Sequence, residues 1–408
     1  MNRITRTAML LAVSAVALTF SHNISAIEEE VFIANPYLTN LRHDRVTINY
    51  VLERPLFSWI LFDTESHFDS GWNYTHGYPP QDIISDRFNL TLPGLQSDEK
   101  YYYTVILKDP KEDEDNSFYD YLFKTPPPPG EKNRSFKIGI YGASHGNPNV
   151  HRAVADNIAS ESDMIAAFMV GDILPPDTTD TSWREFFYSI EYLGGEKAIV
   201  PLKGENEENV REFNEYFPFM DETSGPKKPL SYYSCDWGSI HNIVLDSNLM
   251  KAENHSRGEQ IDWLVNDLEK NQDSSYTFVY LYHPPISSDP SNFGGVSFVR
   301  ELIPIFDQYN VSAVFSGKDD VFQYYMHSKT HYFNLGSLTN PGSFSSKKRA
   351  HGGVTFLENT IVYLLVQILD NNEVKIEIIN MGTIDSKNQA HISKSRAETI
   401  NVLPRNGS

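Results

Sequence analysis

Five short segments of the chain place ionisable side chains beside a glycine or proline turn, and each segment follows an apolar run. They are Gly142-Ala143-Ser144-His145-Gly146, Gly171-Asp172, Gly204-Glu205-Asn206-Glu207, His283-Pro284-Pro285 and Gly317-Lys318-Asp319-Asp320. Imidazole and carboxylate groups can move protons or bind metal ions, and an ammonium group can hold an anion. A single histidine after a strand is usually structural, but five such segments in one region indicate a shared site.

Strands and helices alternate around these segments. Apolar runs predict strands at 136–141, 165–170, 198–202, 277–282 and 311–315, with hairpins over 232–246 and 354–379. Helical spacing of apolar residues predicts helices at 149–158, 183–193, 209–217, 260–270 and 298–309. This order predicts an α/β domain, in which ligands bind at the loops after the carboxyl ends of the strands. All five segments lie at such loops.

A different pattern precedes this region. Between residues 31 and 125, short alternating stretches such as Val46, Ile48 and Tyr50 are separated by turn signals, which predicts a β-sandwich over 30–125. The run Pro126-Pro127-Pro128-Pro129 favours an extended spacer, so we expect a linker over 126–133. The α/β domain then covers 134–381, and a loosely held polar tail covers 382–408.

The composition excludes some classes of protein. The 408 residues include 34 Lys and Arg against 54 Asp and Glu, a formal charge of −20. A sequence-independent nucleic-acid binder needs a basic face, so we expect no nucleic-acid partner. The single cysteine, Cys235, rules out an intrachain disulfide framework.

The N-terminus predicts a secretory signal peptide over residues 1–26. Arg3 and Arg6 precede an uncharged run from Ala8 to Phe20, and small and polar residues follow up to Ala26. The run is shorter than the roughly 20 apolar residues that span a bilayer, and no other run is long enough. We therefore expect a secreted or periplasmic protein without a membrane span; a buried N-terminal helix is the alternative.

Several motifs resemble the calcineurin-like metallophosphoesterases, and among them the purple acid phosphatases. The similar segments are Pro36-Tyr37-Leu38-Thr39-Asn40-Leu41, Lys100-Tyr101-Tyr102-Tyr103, Tyr232-Tyr233-Ser234-Cys235-Asp236-Trp237-Gly238, Ile243-Val244-Leu245-Asp246-Ser247 and Trp263-Leu264 with Asp267-Leu268. The resemblance implies an N-terminal fibronectin type III-like β-sandwich. It further implies a four-layer α/β phosphoesterase domain with two packed mixed sheets flanked by helices.

Active members of that family bind two metal ions, and the resemblance shows how the present chain departs from them. The chain keeps the bridging aspartate as Asp172 and two histidines as His145 and His283. At the other positions the family's ligands and catalytic-type histidine are replaced, by Ala143, Pro175, Glu205, Asn206, Lys318 and Asp320. The resemblance thus assigns the catalytic positions to His145, Asp172, Asn206 and His283. The weakened metal set is Asp172, Glu205, His283, Asp320 and His145.

Two hypotheses follow from these replacements. A protonated ammonium cannot coordinate a metal, so Lys318 would repel a cation or pair with Asp172 and Glu205 instead. The chain is then a catalytically inactive or strongly altered phosphatase that acts as a binding protein, with a phosphate ester or other small anion as partner. The alternative is an active phosphoric-ester hydrolase that uses one hard cation such as Mg²⁺, Mn²⁺ or Ca²⁺, because Glu205 and Asp320 make the donor set richer in oxygen. Neither hypothesis favours a dinuclear Fe/Zn centre, and a carbohydrate-contacting role of the aromatic-rich sandwich is a third possibility.

Overall fold

Two β-sheets and six α-helices make up the part of the chain that the computed structural model describes. This part comprises residues 31–67, 76–78, 84–111, 115–117, 120–145, 147–219, 231–251, 255–289, 296–342, 355–385 and 389–405. The expected signal peptide at 1–26 lies outside it. None of the helices in these ranges is long and apolar enough to cross a membrane.

The first seven strands form an all-β N-terminal region. They are β1 (Phe32–Arg42), β2 (Arg45–Asp63), β3 (His76–Tyr78), β4 (Ser85–Pro93), β5 (Lys100–Lys108), β6 (Asp115–Ser117) and β7 (Tyr121–Lys124). The 19-residue strand β2 pairs with β1 and β4 through its first half and with β3 and β5 through its second half. The register shifts between Val51 and Leu56, and this irregularity lets one strand serve both groups of partners.

The remaining strands belong to two mixed sheets. They are β8 (Phe136–Tyr141), β9 (Met164–Met169), β10 (Ala198–Pro201), β11 (Tyr233–Trp237), β12 (Ile240–Val244), β13 (Tyr276–Leu281), β14 (Ala313–Ser316), β15 (Phe322–His327), β16 (Thr330–Asn334), β17 (Thr355–Leu357), β18 (Thr360–Ile368), β19 (Val374–Ile384) and β20 (Ala390–Val402). One sheet has the order β20-β19-β18-β8-β9-β10 and continues through β1 into the N-terminal strands, and the other has the order β11-β12-β13-β14-β16-β15-β17. Strands β8, β9 and β10 are parallel, as are β12, β13, β14 and β16, so their carboxyl ends point to common edges.

The helices cover the outer faces of these two sheets. They are α1 (Pro148–Ala159), α2 (Asp180–Ser189), α3 (Glu191–Glu196), α4 (Arg211–Tyr216), α5 (His255–Lys270) and α6 (Leu302–Gln308). Between the sheets, the rings of Phe168 and Tyr280 stack with centroids 3.8 Å apart. A second core, which includes Leu264, Leu268 and Phe306, lies between α5, α6 and the outer face of the second sheet. The α/β region therefore has the layered arrangement that the sequence predicts.

The C-terminal part differs from the prediction. Residues 382–408 were expected to form a loosely held tail, but β19 continues to Ile384 and Ala390–Val402 forms a 13-residue strand paired along β19. The prediction of a loose tail is wrong, because backbone pairing holds β20 although most of its side chains are exposed and polar. The sequence also gave no indication of the β15–β16 hairpin, and the expected helix 183–193 is divided at Ile190 into α2 and α3.

Candidate functional site

The five segments singled out in the sequence follow β8, β9, β10, β13 and β14, and hydrogen bonds join them. The backbone N–H of Ser144 donates to the carbonyl of Asp172 at 3.3 Å. The backbone N–H of Asn206 donates to Asp172 Oδ1 at 3.0 Å. The N–H of Gly317 donates to the carbonyl of Tyr282 at 3.0 Å, which links the loops of the second sheet. The carboxyl ends of both sheets therefore contribute to one cluster, as the strand order predicts.

Two features of the backbone bring these loops into close contact. A Cβ atom on Gly204 would lie 2.2 Å from the backbone nitrogen and from Oδ1 of Asp172, and one on Gly317 would lie 2.3 Å from the carbonyl oxygen of Val170. Both positions therefore require glycine. Asp172 and Lys318 have left-handed backbone conformations, with φ of 49° and 67°. Residues with side chains adopt this region infrequently, and such conformations concentrate at functional sites.

Asp172 has both carboxylate oxygens occupied. Oδ1 accepts the hydrogen bond from the Asn206 backbone, and Oδ2 accepts one from the Tyr282 hydroxyl. Tyr282 is 2% exposed, and burial followed by the negative charge of Asp172 raises the pKa of its phenol, which therefore stays a proton donor. The sequence analysis did not single out Tyr282. Its position directly before His283, at the carboxyl end of β13, is the signal that could have identified it.

Glu205 accepts hydrogen bonds from two side chains of other parts of the fold and forms a longer ion pair with a third. Its Oε2 lies 2.7 Å from Lys318 Nζ, and its Oε1 lies 3.2 Å from His283 Nε2. Lys251, which follows the 3-10 helix Ser247–Met250, places its Nζ 3.6 Å from Oε1 and 2.6 Å from Glu208 Oε2. Of the two carboxylates expected to pair with Lys318, Glu205 does so, whereas the oxygens of Asp172 accept hydrogen bonds from Asn206 and Tyr282 instead. Lys251 was missed, because nothing in its local sequence relates it to the five loops.

The protonation states in this group follow from its geometry. Desolvation acts to raise the pKa of Glu205, but hydrogen bonds from Lys318 and His283 outweigh it and lower the pKa to about 2. Burial lowers the pKa of His283 to about 4, against the opposing hydrogen bond to Glu205, so the ring is neutral at pH 7. Since a carboxylate only accepts, Nε2 carries the ring proton and Nδ1 accepts from the Ser247 hydroxyl at 2.8 Å.

Glu207 is fully buried and fastens two of the loops together. Its carboxyl oxygens accept hydrogen bonds from the backbone N–H groups of Asp172 at 3.0 Å, Leu174 at 2.9 Å and Gly204 at 2.8 Å. Burial and the negative charge of Asp172 raise the pKa of Glu207 to about 8, although the three N–H donors act to lower it. The side chain thus fixes the loop after β9 against the loop after β10.

Asp319 performs a similar structural role beside Lys318. Its carboxylate is 2% exposed and accepts hydrogen bonds from Ser287 Oγ at 2.5 Å, Gln323 Nε2 at 2.8 Å and Asn334 Nδ2 at 3.0 Å. These partners lie after β13, on β15 and on β16. The network anchors the turn that gives Lys318 its left-handed backbone.

The other predicted site residues lie on the same cluster but have separate roles. The amide of Asn206 donates to the carbonyl of Leu174 at 2.7 Å and so secures its own loop. Asp320 is exposed; partial desolvation raises the pKa of its carboxylate, while nearby His145 acts to lower it. Ala143 is 8% exposed and forms a parallel bridge with Ser337. Pro175 has no side-chain donor and accepts a hydrogen bond from Thr178 Oγ1 through its carbonyl at 2.8 Å.

Comparisons with known proteins place this geometry in a wider context. The fold is similar to that of a purple acid phosphatase from yellow lupin (Lupinus luteus) seeds, with a TM-score of 0.67, 12% identity, and coverage of 88% of this chain and 73% of that chain. It is also similar to PhoD, with a TM-score of 0.68, 13% identity, and coverage of 94% and 92%. The chain therefore has the fold of the calcineurin-like phosphoesterases. The fold implied by the sequence resemblance is thus confirmed for the α/β phosphoesterase region.

The sequence comparisons cover a smaller part of the chain than the structural comparisons do. No protein-family model matches the chain. Two uncharacterised proteins from two strains of Mycobacterium tuberculosis are each 24% identical over 161 residues, which is 35% of this chain. The match spans only 30% of the length of these relatives.

The donor groups of the cluster do not fit the two metal ions that this fold family implies. Among the described residues, no group of three or more His, Cys, Asp or Glu side chains converges as a metal site. Both oxygens of Asp172 and both oxygens of Glu205 accept hydrogen bonds from protein groups. The ring nitrogen of His283 that faces Glu205 carries a proton and has no lone pair to offer. The arrangement is instead a network of carboxylates with the ammonium groups of Lys318 and Lys251 and the neutral imidazole of His283.

Proposed function

We propose that this protein is a phosphoesterase-fold binding protein that has lost the dinuclear metal site and does not turn over phosphate esters. The observation that carries the proposal is the position of Lys318, whose ammonium lies 2.7 Å from the Glu205 carboxylate. The positive charge of Lys318 compensates the carboxylate there, which is the task of a cation in an active relative. The ion pair is 21% exposed on the lysine side and 42% on the glutamate side, so it remains accessible from solvent.

The chemistry of the family explains why this exchange removes activity. Two-metal phosphoesterases use cations roughly 3.5–4 Å apart to polarise phosphoryl oxygens and to generate a bound hydroxide. An ammonium group supplies charge but neither activates water nor organises two oxygens in line. Ala143 and Pro175 offer no ligand atoms in their side chains, and Asn206 uses its amide to hold Leu174.

Two further features complete the proposal. The N-terminal strands β1 to β7 would correspond to the fibronectin type III-like module of the purple acid phosphatases, which supplies surface for a partner rather than chemistry. The basic and apolar N-terminal residues would direct export to a secreted or periplasmic location. Secretion and the cleavage site near Ala26 are testable by N-terminal sequencing of the mature protein.

The experiment that tests the proposal combines metal analysis with a hydrolysis assay. The purified protein is assayed for Mg, Mn, Ca, Fe and Zn, and then for turnover of an aromatic phosphomonoester and a phosphodiester with each divalent ion added. We expect no stoichiometric metal and the same background rate for the native chain and Asp172→Asn. Bound metal together with turnover that disappears in Asp172→Asn would contradict the proposal.

A second candidate is a hydrolase with one hard cation held at Asp320. It is favoured by the exposed carboxylate of Asp320, whose pKa responds to the charges of His145 and Asp172. Oxygen donors of this kind suit Mg²⁺, Mn²⁺ or Ca²⁺. This candidate predicts activity that Asp320→Asn removes and that Lys318→Met retains, whereas the binding-protein proposal predicts background rates for both variants.

A further inference from the structure

The contacts of Glu205 have the form of an occupied anion site. Three donors from separate parts of the fold converge on one carboxylate: Lys318 Nζ at 2.7 Å, His283 Nε2 at 3.2 Å and Lys251 Nζ at 3.6 Å. Hydrogen bonds with an ionised donor or acceptor are roughly twice as strong as those between neutral groups. The carboxylate they hold belongs to the chain itself.

Solvent access distinguishes the acceptor from its donors. The Glu205 side chain is 42% exposed, whereas the ring of His283 is 1% exposed and is fixed from behind by Ser247. Lys318 and Lys251 are 21% and 30% exposed. His283 and Lys318 therefore form a preorganised floor, while the glutamate above them can move into water without opening the core.

We infer that this cluster binds a carboxylate of a ligand or partner, which displaces the Glu205 side chain and takes over its hydrogen bonds from Lys318 and His283. The inference rests on the proposed function, since a metal ion at this place would remove the ammonium donor. Glu205 then acts as an internal competitor that occupies the site until an external carboxylate arrives. We specify a planar carboxylate as the ligand because the planar carboxylate of Glu205 already lies at hydrogen-bond distance from both Lys318 and His283.

The charges around the site determine which donors dominate. Lys251 is compensated by Glu208 at 2.6 Å, and the Asp172 carboxylate, which accepts from the Asn206 backbone next to Glu205, adds negative charge to the cluster. Lys318 and His283 therefore provide most of the attraction for an incoming carboxylate. Displacement replaces one ion pair by another, so the net charge of the site changes only by that of the ligand.

Competition by Glu205 determines how much more tightly an external carboxylate should bind once the Glu205 side chain is removed. When the binding-competent state is only a small fraction of the population, the apparent dissociation constant rises in inverse proportion to that fraction. If Glu205 occupies the donors about 90–99% of the time, its removal tightens binding roughly 10- to 100-fold. A site without an internal competitor would show no such gain.

The test is an NMR titration of the full chain with acetate, followed through the lysine ε-methylene and histidine ring signals. The protein is freed of metal on a chelating resin, because a soluble chelator such as EDTA carries the carboxylate group under test. We expect Glu205→Ala and Glu205→Gln to bind acetate at least 10-fold more tightly than the native chain. Glu208→Ala, which removes an acid of the same loop that contacts only Lys251 among the donors, should change binding less than threefold.

Two further measurements distinguish carboxylate binding at this site from the alternative outcomes. Adding Lys318→Met to Glu205→Gln should abolish acetate binding while circular dichroism shows an intact fold. Inorganic phosphate is titrated in parallel, and a preference for phosphate over acetate would overturn the assignment to carboxylates. Equal acetate affinity in the native chain and both Glu205 variants would overturn the displacement itself. If the proposed function failed, the protein would show bound metal and turnover of phosphate esters. Neither of the two results above involves metal or turnover, so failure of the inference is distinguishable from failure of the proposed function.

Discussion

Lys318 and Glu205 come from loops of different sheets, and their pairing determines the electrostatics of the cluster. The lysine has a left-handed backbone at φ 67°, and the buried Asp319 network holds this turn in place. The placement of Lys318 therefore depends on side chains from neighbouring strands as well as on its own turn. The pKa of Glu205, about 2, is the local measure of how strongly the ammonium and His283 stabilise the ionised carboxylate.

Lys318→Met should raise the pKa of Glu205 from about 2 towards the ordinary glutamate range, because it removes both a hydrogen bond and a positive charge. The measurement is a pH titration of the glutamate side-chain carboxyl carbons by NMR. Lys251→Met is the matched control, since its Nζ lies 3.6 Å from Glu205 rather than 2.7 Å, and it should shift the pKa less. An unchanged Glu205 pKa in Lys318→Met would refute the pairing.

Individual site residues were only partly predictable from the sequence. The loops followed from residue type and from position after apolar strands, and the Lys318–Glu205 pair followed from the family resemblance. Tyr282 was not recognised, because a tyrosine in a strand normally indicates packing, and its hydroxyl reaches Asp172 only through the folding of the sheet. Ser247 ends one of the family-like segments and Lys251 lies outside all of them, but nothing in the sequence relates either residue to the five loops, so only tertiary structure could place them in the cluster.

Among the secondary-structure elements, the β11–β12 hairpin is joined to helix α5 by a buried histidine between two acids. His241 Nδ1 lies 2.6 Å from Asp236 Oδ1, and Nε2 lies 2.7 Å from Asp267 Oδ2, with the ring 1% exposed. Burial acts to lower the pKa of His241, but the two carboxylates outweigh it and raise the pKa to about 9. The imidazolium is therefore a structural cation at neutral pH.

This triad predicts a specific dependence of stability on pH. Because the folded-state pKa of about 9 exceeds the ordinary value of 6.5, the contribution is complete below pH 6.5 and is lost as pH rises towards 9. Its size is about 3 kcal/mol from the shift in pKa. Urea unfolding at pH 6, 7.5 and 9.5 should show this decline for the native chain and a flatter profile for His241→Gln. Equal slopes for both proteins would rule out the charged triad.

Strand β20 shows why element prediction failed at the C-terminus. Its side chains are mostly polar and exposed, so hydrophobic periodicity carries no signal there. The strand exists because β19 offers a paired edge, with register irregularities between Ile378 and Ile379 and between Asn380 and Gly382. Long-range backbone pairing of this kind is not encoded in local composition.

For the whole molecule, β1 connects the N-terminal strands with the α/β region. Leu38 pairs with Ala198 of β10, and the Tyr37 hydroxyl donates to the carbonyl of Tyr216 at 2.7 Å. Tyr37 also packs on Phe187 with ring centroids 5.1 Å apart. The polyproline segment predicted a spacer between independent parts, whereas these buried contacts join the two parts along a continuous sheet.

The shared interface predicts one cooperative unfolding transition. Tyr37→Ala should destabilise the protein by about 3–5 kcal/mol, as expected for a large buried aromatic side chain. It should lower the midpoint of that single transition, followed by calorimetry and tryptophan fluorescence. Tyr192→Ala is the control, because this ring is 62% exposed, and it should change stability by less than about 0.5 kcal/mol. Two separate transitions in the native chain would contradict a shared core.

The fold of the whole molecule was more predictable from the sequence than the side-chain pairings of its cluster. Apolar strands such as Phe136–Tyr141 and helices such as His255–Lys270 follow strong periodic patterns, and the order of elements defined the α/β layers. The cluster depends on side-chain partners from five loops, where one substitution changes the set of possible ligands. Sequence could therefore identify the candidate positions, but the pairings among them needed the arrangement of both sheets.

The most direct test of the central claim is a crystal structure grown with Mn²⁺ in excess and measured at the manganese absorption edge. We predict that Lys318 Nζ lies within hydrogen-bond distance of the Glu205 carboxylate and that no anomalous peak lies in the cluster. An anomalous peak about 2–2.5 Å from the Asp172 carboxylate, with Lys318 turned away, would contradict the account and favour the single-cation hydrolase.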